Sequence, residues 1–401
     1  MATRLCTLAL ALLAPAAAAC PAAAAPPELG SAKAAIVVDA SDGAPMFGKN
    51  PRQRRAIAST TKLMTALLAL ERARPSETFT APAYDALSQE SKINLRRGER
   101  MRVRDLLEAL LLESANDAAV TLAEGISGSR KAFVEQMNER ARQLGLRDTS
   151  YANPVGLDQA GNYSTAADLA RLATRLLHNR RFARVVDMPA AVLESGARRR
   201  LVDNRNDLVA RYAFVDGVKT GHTRQAGYLL VGTGHGRGGA RVVTVVMGEP
   251  GEAARDSDTL ALLRWGLSRF RSERALDGRR PLARAEVRHF GERRVALIPR
   301  EALTVTARRG QPVERRVTAP AKLAGPLPAR RRVGTVTVLR AGRPVGRVDL
   351  VTAHAVPGAG PLRKLLTGAS LPIVLLVVLA MLAVLVSATL RLRVRLRLVR
   401  E

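Results

Sequence analysis

Apolar positions in the first two thirds of the chain follow two different periods. Between Thr60 and Arg72, Leu63, Met64, Leu67, Leu68 and Leu70 recur at three- and four-residue steps. That spacing predicts an amphipathic helix with Ser59 at its N-terminus. The same period predicts helices over Val103–Leu112, Asp117–Ile126, Lys131–Leu144, Thr165–Leu177 and about Ala253–Phe270. Gly145 is a C-cap signal, and Thr165 with Asp168 is placed as a capping pair. Short runs at Ala34–Val38, Pro45–Phe47, Gly217–Thr220, Tyr228–Thr233 and Val242–Met247 read as strands. The first two are joined by a hairpin signal at Asp42-Gly43. Strands at both ends of this region with helices between them predict a split α/β sheet interrupted by an inserted helical subdomain.

Beyond Leu276 the helical period vanishes. Runs such as Val295–Ile298, Leu303–Val305 and Val333–Leu339 alternate with Gly and Pro, which predicts a small all-β domain over 276–358. Pro357–Pro361 reads as a linker. Ala369 to Leu390 is uncharged and apolar, long enough for the roughly 20 residues that a transmembrane helix requires. Arg391, Arg393, Arg395, Arg397 and Arg400 follow and predict a basic cytoplasmic tail over 391–401. Residues 1–26 hold Arg4, the apolar run Leu5–Leu13 and then small residues, the pattern of a secretory signal peptide. Cleavage after Ala19 and cleavage near Ala25 both fit. Both cysteines, Cys6 and Cys20, lie in this segment, and a lipidated Cys20 is an alternative reading. The expected placement is a single-pass protein of the cell membrane with its bulk on the extracytoplasmic face.

The chain of 401 residues carries a formal net charge of +29. For an exported protein this points to cell-wall polymers or anionic lipid rather than nucleic acid. Aromatic residues make up only 3% of the chain, so a base-stacking surface is not indicated. A plainer reading is that Arg richness reflects codon composition, with Arg198–Arg200 and Arg330–Arg332 as solvated loops. The sequence Gly234-His235-Gly236-Arg237-Gly238-Gly239 matches a dinucleotide fingerprint. It precedes a predicted strand where that fingerprint needs a helix, so it reads as a hairpin loop. The five histidines are scattered, and neither a metal nor another cofactor is expected.

The basic residues carry a further signal. Eight are Lys and 56 are Arg, yet two of the lysines stand in short motifs: Ser59-Thr60-Thr61-Lys62 and Lys219-Thr220-Gly221, with Ser114-Ala115-Asn116 between them in sequence. Arg stays protonated in a protein, whereas a buried or cation-crowded Lys loses its proton readily. Ser59 and Lys62 lie one turn apart on one helix face, so the amine can reach the hydroxyl as its base. Lys219, as a second cation, would help keep Lys62 neutral. Ser114 can relay a proton, and Asn116 can hydrogen-bond both Lys62 and a substrate amide. The alternative for Ser114 and Asn116 is capping of the following helix.

The segments Ala58–Ala66, Ser114–Ala119, Gly156-Leu157-Asp158, Asp216–Thr223 and Ala226-Gly227-Tyr228 resemble those of the D-alanyl-D-alanine carboxypeptidases among the low-molecular-mass penicillin-binding proteins. The resemblance covers about residues 30–275, with a weaker likeness in the β-rich part. It implies a penicillin-binding, β-lactamase-like transpeptidase fold. It also implies attack by Ser59 on the penultimate D-alanine of a peptidoglycan stem peptide, release of the terminal D-alanine and hydrolysis of the acyl-enzyme. The family's oxyanion site falls on the backbone N–H groups of Ser59 and His222, next to Gly221. Thr220, Arg205 and Arg255 match positions near the terminal carboxylate, and β-lactams are implied as inhibitors. Many members anchor through an amphipathic helix, where this chain predicts a full span. No Glu occurs between Glu139 and Glu194, which argues against efficient β-lactam hydrolysis. A transpeptidase or endopeptidase on the same site, and a non-catalytic wall-binding or β-lactam-sensing receptor, are the rival readings.

Overall fold

A computed structural model describes residues 25–368 and 371–398. The predicted signal segment therefore lies almost wholly outside the described residues, as do Cys6 and Cys20. The chain divides into two compact units between Arg269 and Phe270.

The first unit opens with strands β1 (Ala34–Asp39) and β2 (Pro45–Lys49) and helix α1 (Lys62–Arg72). Strands β3 (Thr78–Thr80) and β4 (Arg100–Arg102) flank a long loop. Helices α2 (Val103–Glu108), α3 (Asn116–Ser127), α4 (Arg130–Gln143), α5 (Ala166–Leu177) and α6 (Arg180–Val186) follow. Next come β5 (Ala190–Leu193), β6 (Arg200–Asp203), the short α7 (Leu208–Arg211), β7 (Val215–Thr223), β8 (Gly227–His235), β9 (Arg241–Glu249) and α8 (Glu252–Ser268). The main sheet has the order β2-β1-β9-β8-β7 with every pair antiparallel. N-terminal strands thus close one side and late strands the other, with the helices inserted between them in sequence.

Strand β1 reads Ala-Ala-Ile-Val-Val-Asp, and all six residues are buried. The run lacks polar alternation because helices cover both faces: α5 and α8 each pack on β1 and β9. Helix α3 is buried from Asn116 to Ala123 and packs against α1, α2 and α4. Each leucine buried in this helical core contributes about 1.5–3 kcal/mol.

Thr165 caps α5 as expected, its hydroxyl accepting from the Asp168 N–H at 3.1 Å. Gly145 stands at φ +69° just after α4. The glycine-rich decoy is the β8–β9 connection, with a single tight turn at Arg237–Gly239. The predicted helix Val103–Leu112 divides: α2 ends at Glu108 and one wider π-helical turn, Ala109–Glu113, carries the chain to Ser114. Arg200 is not in a solvated loop: its side chain is 8% exposed, pairs with Glu99 at 2.9 Å and donates to the Ile93 carbonyl. Arg332 begins a strand and pairs with Asp349 at 3.0 Å, but its side chain is 62% exposed and so solvated as expected.

The second unit is mostly strand: β10 (Phe270–Leu276), β11 (Ala283–Val287), β12 (Arg294–Pro299), β13 (Leu303–Arg308), β14 (Val313–Thr318), β15 (Lys322–Leu323), β16 (Arg332–Arg340) and β17 (Arg343–Thr352). Six of these form a sheet ordered β14-β16-β17-β12-β11-β15, and β10 pairs with β13. Val336, Val338, Val348 and Leu350 pack with Ala275 and Leu276 in its core. Leu276 therefore belongs to a strand of this unit, and Phe270 starts that strand rather than ending the preceding helix.

Helices α9 (Pro361–Gly368) and α10 (Leu371–Leu398) close the chain. The transmembrane span expected over 369–390 is not supported. Among the described residues, no helix is long and apolar enough to cross a membrane. Ala369 and Ser370 lie outside the described residues.

Candidate active site

Strand β7 is the edge of the main sheet, yet Val215 to Gly221 are all buried. What covers that edge is the turn before α1, together with α6 and α7. The three motifs meet at this junction.

Ser59 lies in a 3₁₀ turn, Ala58–Thr61, that runs directly into α1. Ala58 has φ +43°, a left-handed conformation that non-glycine residues rarely adopt. Gly156 presses on this turn: a Cβ there would fall 2.0 Å from the Ala58 carbonyl oxygen and 2.9 Å from the Ser59 nitrogen. Gly156 itself has φ +94°, so glycine is required twice over, for its backbone and for the close approach. Asn153 Oδ1 accepts from the Gly156 N–H at 2.7 Å and fixes the approach.

Lys62 is fully buried. Its Nζ lies 2.8 Å from Ser59 Oγ and donates to the Val155 carbonyl at 2.7 Å. Burial first, and the Lys219 charge second, hold Lys62 well below the ordinary ammonium range, while Glu90 and Asp117 act in the opposite direction.

Ser114 terminates the π-helical turn at φ +64° and is 5% exposed. Its Oγ is buried without a hydrogen-bond partner. It does not cap α3, whose N-cap is Ala115 with no side-chain cap bond. A buried, unpartnered hydroxyl on strained backbone is a feature of functional sites rather than of packing. Asn116 does not bond Lys62 as the sequence suggested. Its Nδ2 donates to Glu90 Oε2 at 2.6 Å.

Lys219 is 1% exposed on β7. Burial, then the positive charge of Arg205, lower it to about 7; Glu113 raises it and Arg255 lowers it further. Both predicted arginines are thus within electrostatic reach of Lys219. Each is engaged: Arg205 with Glu113, and Arg255 with Asp256 at 2.9 Å and Glu252 at 3.4 Å. Thr220 is buried beside Lys219 and Gly221 packs on the Ala58 side chain, its own added Cβ falling at 3.2 Å. His222 is exposed, with its ring stacked on Tyr228 at 3.9 Å between centroids. Asp158 ties the end of β7, accepting from Thr223 Oγ1 at 2.7 Å.

Sequence reasoning missed Glu90, Tyr84, the Val155 carbonyl and Glu113. Gly156 was visible as part of a family segment, but nothing in the sequence disclosed its contact with the turn at Ala58 and Ser59. Among the described residues no cluster of His, Cys, Asp and Glu could hold a metal ion.

A five-stranded antiparallel sheet with inserted helices, and a serine held by a buried lysine at its covered edge, define a serine acyl-transfer enzyme of the penicillin-binding type. The sequence profile of the D-alanyl-D-alanine carboxypeptidases, peptidase family S11, matches residues 21–251, and the chain belongs to that family. Its activity is that of a serine-type D-Ala-D-Ala carboxypeptidase. It is 30% identical over 357 residues to the D-alanyl-D-alanine carboxypeptidase DacA of Haemophilus influenzae, covering 85% of this chain and 88% of that one. It is 29% identical over 338 residues to DacF of Bacillus subtilis, covering 82% and 87%. The crystal structure of penicillin binding protein 5 from Haemophilus influenzae superposes with a TM-score of 0.59 at 28% identity, covering 84% of this chain and all of that one.

Proposed function

We propose that Ser59 is the nucleophile and Lys62 its base in removing the terminal D-alanine from peptidoglycan stem peptides. The observation that carries this is the 2.8 Å contact between Lys62 Nζ and Ser59 Oγ, made by a lysine with no solvent exposure. Neutral Lys62 accepts the hydroxyl proton as Ser59 attacks the penultimate carbonyl. Ser114, unpartnered and buried, passes a proton to the leaving amine. The oxyanion sits between the N–H groups of Ser59 and His222, the latter on an edge strand whose alternate N–H groups point away from the sheet. Lys219 in its charged form, with Thr220, Arg205 and Arg255, attracts the terminal carboxylate. Water then hydrolyses the acyl-enzyme, and a β-lactam acylates the same serine.

The purified chain is incubated with a peptide ending in D-Ala-D-Ala, and free D-alanine is measured beside Ser59→Ala. Release by the wild type and none by the variant is the expected result. Absence of release from the wild type overturns the reading. Labelling by fluorescent penicillin without release would favour a receptor, and transfer to an amine acceptor would favour a transpeptidase.

We also propose that this reaction occurs outside the cytoplasmic membrane, with α10 associating with lipid. Support comes from the signal-like pattern of residues 1–26 and from Leu375, Leu376, Leu379, Leu382 and Leu385, all more than half exposed. A helix that is apolar all round requires an apolar surrounding. Recovery of the full chain in the soluble fraction of lysed cells would exclude the attachment.

A further inference from the structure

Glu90 lies in the loop between β3 and β4, upstream of the middle motif, and matches no segment of the family resemblance. Its carboxylate is nevertheless held by three donors. The Leu87 N–H donates to Oε1 at 3.0 Å. The Tyr84 hydroxyl and Asn116 Nδ2 both donate to Oε2, the latter at 2.6 Å. An ionised carboxylate can only accept. It therefore admits only the NH₂ end of the Asn116 amide, which settles which way that amide is turned. Oδ1 is left for an N–H donor in the cleft, the part that Asn116 plays toward a substrate amide.

The same carboxylate acts on Lys62 by its charge. The charged groups that face Lys62 are Lys219 from β7, Asp117 from α3 and Glu90 from this loop. Asp117 is occupied by the N–H groups of Ile93 and Leu95, so Glu90 is the acidic member that also touches a motif side chain. Burial raises Glu90, but hydrogen bonds from Tyr84, Asn116 and Leu87 and the charge of Lys62 outweigh it and hold the carboxyl below its usual range. A carboxylate so fully engaged is a poor proton acceptor, so it does not replace the glutamate that the sequence lacks for activating the deacylating water.

We propose that Glu90 is a positioning residue: it fixes the Asn116 amide with its acceptor toward the substrate and places a carboxylate among the charged groups that face Lys62. This rests on the roles of Asn116 and Lys62 given above.

The test measures the rate of acylation by fluorescent penicillin in full-length wild type, Glu90→Gln, Asn116→Ala and the double variant, each across the pH range. Gln can offer either an acceptor or a donor to Asn116, and it carries no charge. Acylation is expected to slow about tenfold in Glu90→Gln, the scale of a lost hydrogen bond to a charged group. In the Asn116→Ala background the same change should cost less than about twofold. The acid limb should move to lower pH, because Lys62 loses one of two carboxylates that favour its ammonium form. Deacylation should slow no more than acylation. Independent effects of Glu90 and Asn116, or an unmoved acid limb, overturn the proposal, as does a selective loss of deacylation.

Tyr84→Phe removes a donor to Glu90 but keeps the carboxylate and its bond to Asn116. It should acylate within about threefold of wild type. If it reproduces the whole Glu90→Gln effect, the loop is what matters and the proposal fails. Should Glu90→Gln not fold, Glu90→Asp, one methylene shorter, carries the same cycle with Asn116→Ala. An enzyme that is acylated but releases no D-alanine would sink the carboxypeptidase reading and leave this test intact.

Discussion

At one edge of the main sheet, β2 stands half in solvent, with Pro45 and Gly48 exposed. Its side chains make ordinary contacts: Lys49 donates to the Leu29 carbonyl at 2.7 Å, and Phe47 meets Trp265 edge-on. At the other edge, β7 is buried through seven successive residues and carries Lys219 at 1% exposure beside Lys62 at 0%. Both are outer strands of one antiparallel sheet. The difference is that β2 has water beside it, whereas β7 has the turn carrying Ser59 and two helices. An unpaired sheet edge is usually a liability. Here one edge is left to water and the other is enclosed, which supplies a row of backbone groups and a low-dielectric setting that disfavours the charged form of an amine.

The sharpest way to break that comparison is Lys62→Arg. Arg is a cation of similar reach but cannot give up its proton. Penicillin acylation should fall by at least about 10³-fold, within the range for loss of a positioned base. Acylation near the wild-type rate would show that the enclosed edge serves only to attract substrate.

Gly156→Ala tests the covering rather than the lysine. The new methyl would overlap the Ala58 carbonyl, so the turn carrying Ser59 must shift. We expect acylation to drop about 100-fold, with a loss of roughly 1–3 kcal/mol in thermal unfolding from the strained left-handed residue. A fully active, equally stable variant would show that the contact between these segments does not position Ser59.

A third measurement uses the titration of Lys219. Its attraction for a carboxylate is present below its pKa and lost as pH rises through it. kcat/KM for a D-Ala-D-Ala peptide should therefore fall on the alkaline side. The corresponding limb in kcat should lie at higher pH, because a bound carboxylate stabilises the ammonium. Lys219→Arg should abolish this limb whatever it does to the rate. A limb that persists in that variant belongs to another group.

The smallest effect belongs to the open edge. Lys49→Ala removes one hydrogen bond and should cost less than about 1.5 kcal/mol of stability, with acylation unchanged. A change in acylation would mean that the two edges are coupled through β1, β9 and β8.

How much of this could be read from the chain alone follows the same division. Most helices were legible because their burial is one-sided and periodic, and the strands of the main sheet because they are short apolar runs between turn residues, buried on both faces in β1. Leu63 to Leu70 give the face of α1, and Thr165 with Asp168 gives the start of α5. Lys62 and Lys219, which the fold buries side by side with the motif residues, stood out in the sequence because Lys is rare against Arg here. The boundary near Phe270 was misplaced since β10 looks like the continuation of α8 until its partner β13 is known. Glu90, the Val155 carbonyl and the closeness of Gly156 to Ala58 were not legible. Each depends on a loop folding back across many residues, and a carbonyl oxygen carries no sequence signature. The wider turn at Ala109–Glu113 was equally hidden: Val103 to Leu112 read as one helix, and only the fold reveals the extra residue that turns Ser114 inward.

The two buried lysines also bear on how this protein would respond to selection. Burying a lysine costs free energy, here expressed as a proton affinity pulled well below that of a free amine, and apolar replacements at buried charged sites are often neutral or stabilising. Lys62→Met would therefore be expected to melt at a higher temperature than the wild type while losing all activity. A library screened only for heat resistance would drift toward inert variants at this position, so any thermostable form must be selected for turnover at the same time.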